Sequence, residues 1–299
     1  MQQYTQTRQG VLYALGAYII WSIAPIYFKQ LSAINAFEIL SHRIIWSCVF
    51  IAILLFATKG WSQVHRVLKN PRQLLVLLCT ALLIGANWLI YIWAINNDHL
   101  LDASLGYFIN PLVNVVVGML FLQERFRRLQ WLAVMLAALG VIIEIAKFGS
   151  LPWIAIVLAF TFSFYGLLRK QVKLAALSGL CIETAILLPI ALIYLIGFDN
   201  SASKNLFNNT LSLNLLLVSA GIITTIPLLF FAGAATRLRL STVGFFQYIG
   251  PTLMFLLAVI GYGEALSMDK LITFGFIWIA LVIFVLDAAL ERRRQVSAP

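Results

Sequence analysis

The chain has 299 residues, of which 62% are hydrophobic and only 11% charged, and its formal net charge is +10. Since a soluble domain is about 25% charged, this composition and a mean hydropathy of +0.95 exclude a water-soluble globular protein and indicate a chain solvated by lipid. The basic residues lie in short connections between apolar segments, so they predict membrane topology and no nucleic-acid partner.

Ten apolar segments follow one another, each near the ~20 residues that a helix needs to cross a hydrocarbon core. They span residues 10–28, 38–57, 72–95, 101–122, 127–146, 151–168, 178–197, 211–235, 240–263 and 270–289. Because the runs are continuous and not alternating, they predict helices and not the strands of a membrane barrel. The first segment is longer than a signal-peptide core and lacks a small-residue cleavage site, which predicts a retained first helix.

The connections carry a strong charge asymmetry. With the N-terminus inside, the inner connections hold sixteen Lys and Arg residues and the outer ones hold four, Arg43 within the second segment being left out. Because cytoplasmic connections are enriched in these residues, the asymmetry supports ten crossings and predicts that both chain ends are cytoplasmic. The chain is thus expected to be a multi-pass protein of the bacterial inner membrane.

The two halves of the sequence match at a constant offset of 140 residues. Residues 109–111 (INP) fall on 249–251 (IGP), Phe108 on Tyr248, and Glu124 on Glu264. A constant offset predicts a duplicated unit, which we place at residues 1–147 and 148–290, followed by a basic cytoplasmic tail at 291–299. Five helices per unit reverse the second copy, so the repeats are inverted, as in secondary transporters whose site lies between the repeats.

Four strings and one acid carry a family resemblance. They are residues 41–47 (SHRIIWS), 87–94 (NWLIYIWA), 103–112 (ASLGYFINPL) and 244–252 (GFFQYIGPT), with Glu124 closing the fourth segment. Together they resemble the RarD branch of the EamA family, in the drug/metabolite transporter superfamily. The resemblance implies an inner-membrane permease with two EamA repeats, the customary chloramphenicol label, and a cavity wall built mainly by segments 1, 3, 4, 6, 8 and 9.

Ionisable residues inside a span cost about 2.5–3.5 kcal/mol on insertion scales, so each needs a partner or a role. Arg43 in the second segment would attract a carboxylate or another anionic group of a solute. The alternative is an ion pair with an acid near the outer side, namely Glu38, Asp98 or Asp102.

Glu183 in the seventh segment is a candidate for carrying a coupling proton. The alternative is a salt bridge to one of three basic residues, Arg169, Lys170 or Lys173. Direct pairing with Arg43 is not expected, because the depths of the two residues differ by roughly 15 Å at ~1.5 Å per residue.

Two acids and two prolines mark equivalent helices of the repeats. Glu124 and Glu264 end the fourth and ninth segments, where the helix dipole disfavours acids, so each is predicted to lock onto a basic or backbone-amide partner. Pro111 and Pro251 lie near mid-depth, where a kink and a freed carbonyl suit a gated pathway. Packing geometry alone is the alternative for the prolines.

A polar and aromatic set is predicted to line an amphipathic pathway for a small solute. Besides Arg43, its members are Trp21, Asn87, Tyr91, Tyr107, Asn110, Asn114, Tyr165, Gln247 and Tyr248. The alternative is interhelical hydrogen bonding, worth ~0.6 kcal/mol on average. Trp88 and Trp93 are predicted, alternatively, to face lipid or to anchor the interface.

The sequence predicts no metal, cofactor or disulfide. The three cysteines, Cys48, Cys79 and Cys181, lie in apolar runs without metal-ligand spacing, and no glycine-rich loop ends in Gly-Lys-Ser or Gly-Lys-Thr, so ATP drive is not supported. The favoured function is a secondary permease that exports small organic solutes. The alternatives are a membrane scaffold or sensor and an intramembrane enzyme, for which the six-residue spacing of His42 and Cys48 is poor.

Overall fold

The computed structural model describes residues 2–97, 99–149, 151–198, 202–256, 259–260 and 268–297, and no strand occurs in these ranges. The α-helices are α1 (Gln2–Lys29), α2 (Ala36–Ala57), α3 (Trp61–Leu68), α4 (Pro71–Asn96), α5 (Leu100–Leu122), α6 (Arg128–Phe148), α7 (Trp153–Val172), α8 (Ala176–Ile193), α9 (Leu211–Arg237), α10 (Leu240–Gln247), α11 (Ile249–Leu256) and α12 (Met268–Ser297). A π-helical turn, Tyr194–Phe198, continues α8, and a 3₁₀ turn, Ala202–Lys204, lies in the loop before α9.

Nine of the described helices are long and apolar enough to cross a membrane, namely all except α3, α10 and α11. The last two form a further apolar segment, Leu240–Leu256, which corresponds to the ninth predicted segment. The predicted all-α membrane fold with ten crossing segments is therefore confirmed. Helix α3, in the connection between the second and third segments, is an additional short helix that the apolar count did not include.

The break between α10 and α11 falls at Tyr248, three residues before Pro251. Proline has no backbone N–H, so the carbonyl four residues earlier, on Gln247, loses its helical donor. At the break itself, the backbone amide of Tyr248 donates to the carbonyl oxygen of Phe245, three residues earlier, at 3.2 Å. Pro111, the equivalent residue of the first repeat, lies inside the continuous helix α5. The two prolines therefore act differently on their helices.

The helix packing follows a two-fold relation between the repeats. The equivalent helices of the two repeats are α1 and α7, α4 and α9, and α5 and the pair α10 and α11. Helix α1 packs on α9, and its equivalent α7 packs on α4. Helix α1 also packs on α10 and α11, and α7 packs on α5. Helices α2 and α8, and likewise α6 and α12, are repeat partners that pack on each other. Since each repeat contributes five crossings, an odd number, the second runs in the opposite direction. The architecture is that of two inverted five-helix repeats.

Several hydrogen bonds join helix ends at one face of the molecule. Lys170, near the end of α7, donates to the carbonyl oxygens of Ala235, at 3.0 Å, and Leu238, both at the end of α9. Ser178, at the start of α8, donates to Gln63 of α3 at 3.0 Å. The ends of α7 and α9 and the starts of α4 and α8 therefore share a face.

The last helix reaches the same face. Arg127, just before α6, donates to both carboxylate oxygens of Asp287 on α12 at 2.5–3.1 Å, and it also pairs with Glu291 at 3.4 Å. Hydrogen bonding to Asp287 raises the pKa of Arg127 above its usual range, which keeps the guanidinium charged. Gly10 of α1 packs against Leu238 at this face. We call it the basic face, after Arg66, Lys69, Arg72, Arg125, Arg127, Arg128, Lys170, Lys173, Arg237 and Arg239.

The opposite face joins the other helix ends. Asn96, at the end of α4, donates to the carbonyl oxygen of Ile34, between α1 and α2, at 2.8 Å. The Tyr27 hydroxyl, near the end of α1, donates to the carbonyl oxygen of Leu216 in the second turn of α9. Consecutive crossings thus end alternately at the two faces, as ten spans with both termini on one side require.

Glycines allow close helix crossings at several of these contacts. A Cβ added at Gly221 of α9 would lie 2.4 Å from the carbonyl carbon of Trp46 on α2. Added at Gly106 of α5, it would lie 3.3 Å from the carbonyl oxygen of Ala155 on α7. Small residues are favoured where helices approach within a bilayer, because backbone packing replaces the hydrophobic driving force there.

Candidate functional site

A cavity lies between the two repeats, walled by α1, α2, α4 and α5 of the first and by α7 and α10 of the second. Its aromatic wall comprises Tyr18, Trp21, Phe28, Trp88, Tyr91, Tyr107 and Phe162, and its polar wall comprises Arg43, Asn87, Asn110 and Gln247. The space accessible to water molecules is about 80 Å³, enough for several waters at roughly 10–15 Å³ each. A larger solute requires the helices to part.

One face of α1 supplies much of the aromatic wall. Tyr18, Trp21 and Phe28 recur at spacings of three and seven residues, which place them on one side of a helix. The Trp21 ring meets Phe162 of α7 edge-on, with centroids 5.5 Å apart, and lies 5.6 Å from the Tyr18 ring. The contact between α1 and α7 is thus an aromatic contact between equivalent helices of the two repeats.

Arg43 of α2 is the cation of the cavity, and only 5% of the residue is exposed. Its Nε donates to Thr224 Oγ1 of α9 at 2.9 Å. The guanidinium carbon lies 4.8 Å from the ring centroids of both Phe28 and Trp88. Two aromatic faces and one hydroxyl therefore hold the side chain in place.

The predicted alternative for Arg43 was an ion pair with an acid near the outer side. No carboxylate in the described part of the chain forms an ion pair with it. Asp102, one of the candidates, pairs with His99 at 3.2 Å, and Asp98 lies outside the described residues. The alternative finds no support in the described ion pairs.

Side-chain amides form the polar wall where α5 meets α10. Asn110 donates to the carbonyl oxygen of Ala159 on α7 at 3.0 Å, and Asn114 donates to Asn110 Oδ1 at 2.7 Å. Gly244 lets α10 approach Asn114, since a Cβ there would lie 2.8 Å from the Asn114 Cβ. Gln247, one turn further along α10, lines the cavity, and its Oε1 is buried without a hydrogen-bond partner.

The third predicted segment contributes a further amide and a tyrosine. Asn87 of α4 donates to the carbonyl oxygen of Leu158 at 3.0 Å and to Thr161 Oγ1 at 2.8 Å, both on α7. The rings of Tyr91 and Tyr107 meet edge-on with centroids 6.1 Å apart. These contacts join the first repeat to the second while leaving both tyrosines in the cavity wall.

Seven of the ten residues predicted for the pathway line the cavity, namely Trp21, Arg43, Asn87, Tyr91, Tyr107, Asn110 and Gln247. The other three do not. Asn114 lies behind Asn110, and Tyr165 approaches Glu183. Tyr248 is fully buried at the helix break, where its hydroxyl donates to the carbonyl oxygen of Phe108 at 3.3 Å.

Tyr18, Phe28, Trp88 and Phe162 belong to the wall but were not selected from the sequence. Tyr18 and Phe28 share a helix face with Trp21, a spacing signal that would have found them. The lipid-facing alternative for Trp88 is wrong, because the residue is 6% exposed and lies under Arg43. The wall also uses the second segment, through Arg43. None of the described lining residues comes from the eighth segment, contrary to the family expectation.

Glu183 lies outside the cavity wall, fully buried in α8. Thr80 of α4 donates to its Oε1 at 2.7 Å, and the Tyr165 hydroxyl donates to Oε2 at 3.4 Å. Arg169 of α7 lies 3.7 Å from Oε1. The pair matches the alternative that the sequence left open, a salt bridge within the chain. Arg169 was predicted to lie in an inner connection. The structure places it inside α7, where the residue is 1% exposed.

Glu124 lies just beyond the end of α5 and caps a helix of the other repeat. Gln123 adopts the left-handed conformation (φ 54°) that ends α5, and the amide of Glu124 then donates to the Gly118 carbonyl at 3.1 Å. The carboxylate accepts from the backbone amides of Leu240, at 2.6 Å, and Ser241, at 3.2 Å, the first two residues of α10. Its counterpart Glu264 lies outside the described residues.

Replacing Glu124 with alanine is expected to lower the free energy of unfolding by about 2–3 kcal/mol, since charge-assisted hydrogen bonds contribute ~1.5–3 kcal/mol. The Ser241 hydroxyl also donates to this carboxylate, at 2.6 Å. Unfolding in SDS would measure the loss, and hydrogen exchange at α10 would locate it. Ser241→Ala is the control with the smaller effect, because it leaves both backbone bonds. Equal exchange at α10 in Glu124→Ala and the unaltered protein would contradict the capping role.

The inverted repeats, the apolar helices and the aromatic and polar cavity between the repeats define the class of this protein, a multi-pass membrane transporter. The model of the EamA-like transporter family matches residues 8–145. Protein RarD of Salmonella typhimurium is 60% identical over 97% of this chain and 99% of the relative. The chain belongs to the EamA-like transporter family, in its RarD branch.

More distant relatives and a solved structure agree with this assignment. An uncharacterized transporter of Bacillus subtilis, YojE, is 44% identical over 99% of both chains. The chloramphenicol-sensitive protein RarD of Pseudomonas aeruginosa is 33% identical over 96% of this chain and 97% of the relative. A crystal structure superposes with a TM-score of 0.71 at 19% identity, covering 94% of this chain and 98% of that one, which shows the fold alone. These bacterial relatives and the apolar helices support a multi-pass protein of the inner membrane.

Proposed function

We propose that the protein is a secondary permease that exports small organic solutes. The observation that carries the proposal is the cavity between the two inverted repeats, whose wall combines amides, a cation and aromatic rings. Transporters of this architecture bind solute between the repeats and expose the site to each side in turn. Because about 80 Å³ is too small for an organic solute, loading and release need helix movement, as alternating access requires.

The proposed solutes are metabolites or drugs, including chloramphenicol-like compounds. Chloramphenicol-like compounds are included because one relative is named as chloramphenicol-sensitive. The sequence contains no nucleotide-binding signature, so the proposed energy source is an ion gradient or the solute's own gradient. A scaffold or sensor has no need of a cavity with a buried cation and amides between the repeats, and two relatives are named as transporters.

The proposed orientation places the basic face in the cytoplasm, following the enrichment of Lys and Arg in cytoplasmic connections. Both chain ends are then cytoplasmic, and the repeats are residues 1–147 and 148–290 with the basic tail at 291–299.

The Pro251 helix break beside Gln247 is the proposed gating point of the second repeat, with Pro111 in the equivalent role of the first. Glu183 is the proposed coupling group, because protonation would release its pair with Arg169.

Purified protein in proteoliposomes is expected to accelerate efflux of a labelled solute from a panel of amino acids and chloramphenicol-like amides. An inward proton gradient is expected to increase this flux severalfold. If one proton is exchanged per solute, each 1.4 kcal/mol of gradient energy sustains a tenfold ratio of solute concentrations across the membrane. Glu183→Gln is expected to abolish the response to the gradient while keeping flux down the solute's own gradient.

The matched control is Glu144→Gln, which removes a half-buried carboxylate on α6, outside the cavity wall. It is expected to respond to the proton gradient like the unaltered protein. Absence of solute flux across the whole panel would contradict the permease and favour the scaffold or sensor. Flux that ignores the proton gradient would contradict the coupling role of Glu183 alone.

A further inference from the structure

Buried charges in the described part of this molecule are mostly neutralised within the chain. The buried Arg169 lies 3.7 Å from Glu183, and the buried Asp287 binds the partly exposed Arg127 at 2.5–3.1 Å. Arg43 differs from these, because none of the described carboxylates pairs with it. A buried charge without a counter-ion is strongly destabilising, so its presence at a cavity wall calls for an anion from elsewhere.

The repeat relation strengthens this contrast. Arg43 and Glu183 are separated by the constant offset of 140 residues and therefore occupy equivalent positions on α2 and α8. In the second repeat the chain supplies the counter-ion of the buried acid, through Arg169. The buried base of the first repeat receives two aromatic rings and a hydroxyl, and none of the described carboxylates pairs with it.

The contacts of the guanidinium leave one nitrogen without a hydrogen-bond partner. Thr224 occupies Nε, and the rings of Phe28 and Trp88 lie 4.8 Å from the guanidinium carbon. Aromatic faces attract a cation but do not neutralise it. Nη1 is buried and has no hydrogen-bond partner, and Arg43 lines the cavity. A carboxylate binds along the edge of a guanidinium, so the unpartnered Nη1 edge fits an acid that enters from the cavity.

We infer that the cavity, once the helices part to admit a solute, binds a small organic acid, with its carboxylate on Nη1 of Arg43 and its apolar or aromatic body against the rings of Trp21, Trp88 and Tyr91. The Tyr18 hydroxyl and Gln247 Oε1 are buried without partners and are available to polar groups of the same solute. The inference rests on the proposed function only in naming the acid as the transported solute. Binding itself is independent of transport.

The test compares matched acids and amides as ligands of the full-length protein in detergent. The probes are phenylacetate and indole-3-acetate, their primary amides, acetate and chloride, and the readouts are the unfolding temperature and the quenching of tryptophan fluorescence. Each aromatic acid is expected to bind roughly tenfold or more tightly than its amide, the ratio expected of a charge-assisted hydrogen bond. Acetate and chloride are expected to bind more weakly than the aromatic acids.

Arg43→Gln is expected to remove the preference for acids over amides, and Arg43→Lys is expected to retain part of it. Arg66→Gln, on the exposed side of α3, controls for the loss of one positive charge and is expected to keep the full preference. Equal affinity for acids and amides, or a preference that survives in Arg43→Gln, would overturn the inference. A chloride response equal to that of the acids would likewise replace it with an inorganic anion.

Binding and flux separate this inference from the proposed function. Acid binding that depends on Arg43, without flux of any bound acid in proteoliposomes, would sustain the site and contradict the permease. Flux of neutral amides at the same rate as acids, unaffected by Arg43→Gln, would sustain the permease and contradict the acid site.

Discussion

Gly221→Ala is expected to be among the most damaging single substitutions in the protein, lowering the free energy of unfolding by about 3 kcal/mol or more. The added Cβ would lie 2.4 Å from the carbonyl carbon of Trp46 and 2.6 Å from the amide nitrogen of Ser47. Both are backbone atoms that cannot rotate away, so α2 and α9 must separate. Thr224 lies one turn along α9, and the separation would lengthen its 2.9 Å hydrogen bond to Arg43.

The effect of Gly221→Ala is measured by SDS unfolding together with binding of phenylacetate. The matched control is Gly275→Ala on α12, where a Cβ would meet nothing within 4 Å. That substitution is expected to be neutral or slightly stabilising, because alanine has the higher helix propensity. If Gly221→Ala unfolds like Gly275→Ala, the close crossing of α2 and α9 is not as described.

The second large effect is expected at Gly179 of α8. A Cβ there would lie 1.7 Å from Nη1 and 2.6 Å from Cζ of Arg169. Since Arg169 is 1% exposed, its guanidinium has no free space to move into and must leave Glu183 and the Ala176 carbonyl, which it now meets at 3.7 and 3.2 Å. Leaving a buried charge uncompensated costs roughly 3–5 kcal/mol, so Gly179→Ala is expected to unfold at much lower SDS fractions.

A rescue variant tests whether the pair is the cause. Arg169→Met combined with Glu183→Gln removes both charges, and the Gly179→Ala substitution in that background is expected to cost much less than in the native one. An equal cost in both backgrounds would assign the damage to helix packing and not to the displaced guanidinium. Gly275→Ala again reports the effect of a methyl group alone.

The number of crossings and their inverted order were predictable because lipid imposes a simple rule on sequence. Each span needs about 20 apolar residues, and the constant offset of 140 relates the halves without gaps. Seven of the eleven polar and aromatic residues of the cavity wall were also predictable, because polar residues inside a span are few and each needs a partner or a role. Tyr18 and Phe28 lie three residues before and seven residues after Trp21, on the same face of α1, so the helical period would have identified them as well.

Other features depend on contacts that a single sequence does not display. Arg169 is adjacent to Lys170 and was counted with the inner connection, yet the open space at Gly179 allows its guanidinium to fold inward onto Glu183. Trp88 was given a lipid-facing alternative because tryptophan is common at membrane interfaces, and only the position of Arg43 shows why it is buried. The sequence also does not show which of the two prolines interrupts its helix, since Pro111 and Pro251 have similar neighbours.

The inverted arrangement also constrains how the two halves could diverge after a duplication. Equivalent residues lie on opposite sides of the membrane, where charge rules differ, so a cation suited to one copy is out of place in the other. Arg125, Arg127 and Arg128 accordingly have uncharged counterparts at Ala265, Ser267 and Met268. Charged positions are therefore where the two copies can no longer match, and the exchange of Arg43 for Glu183 places a buried base in one copy and a buried acid in the other.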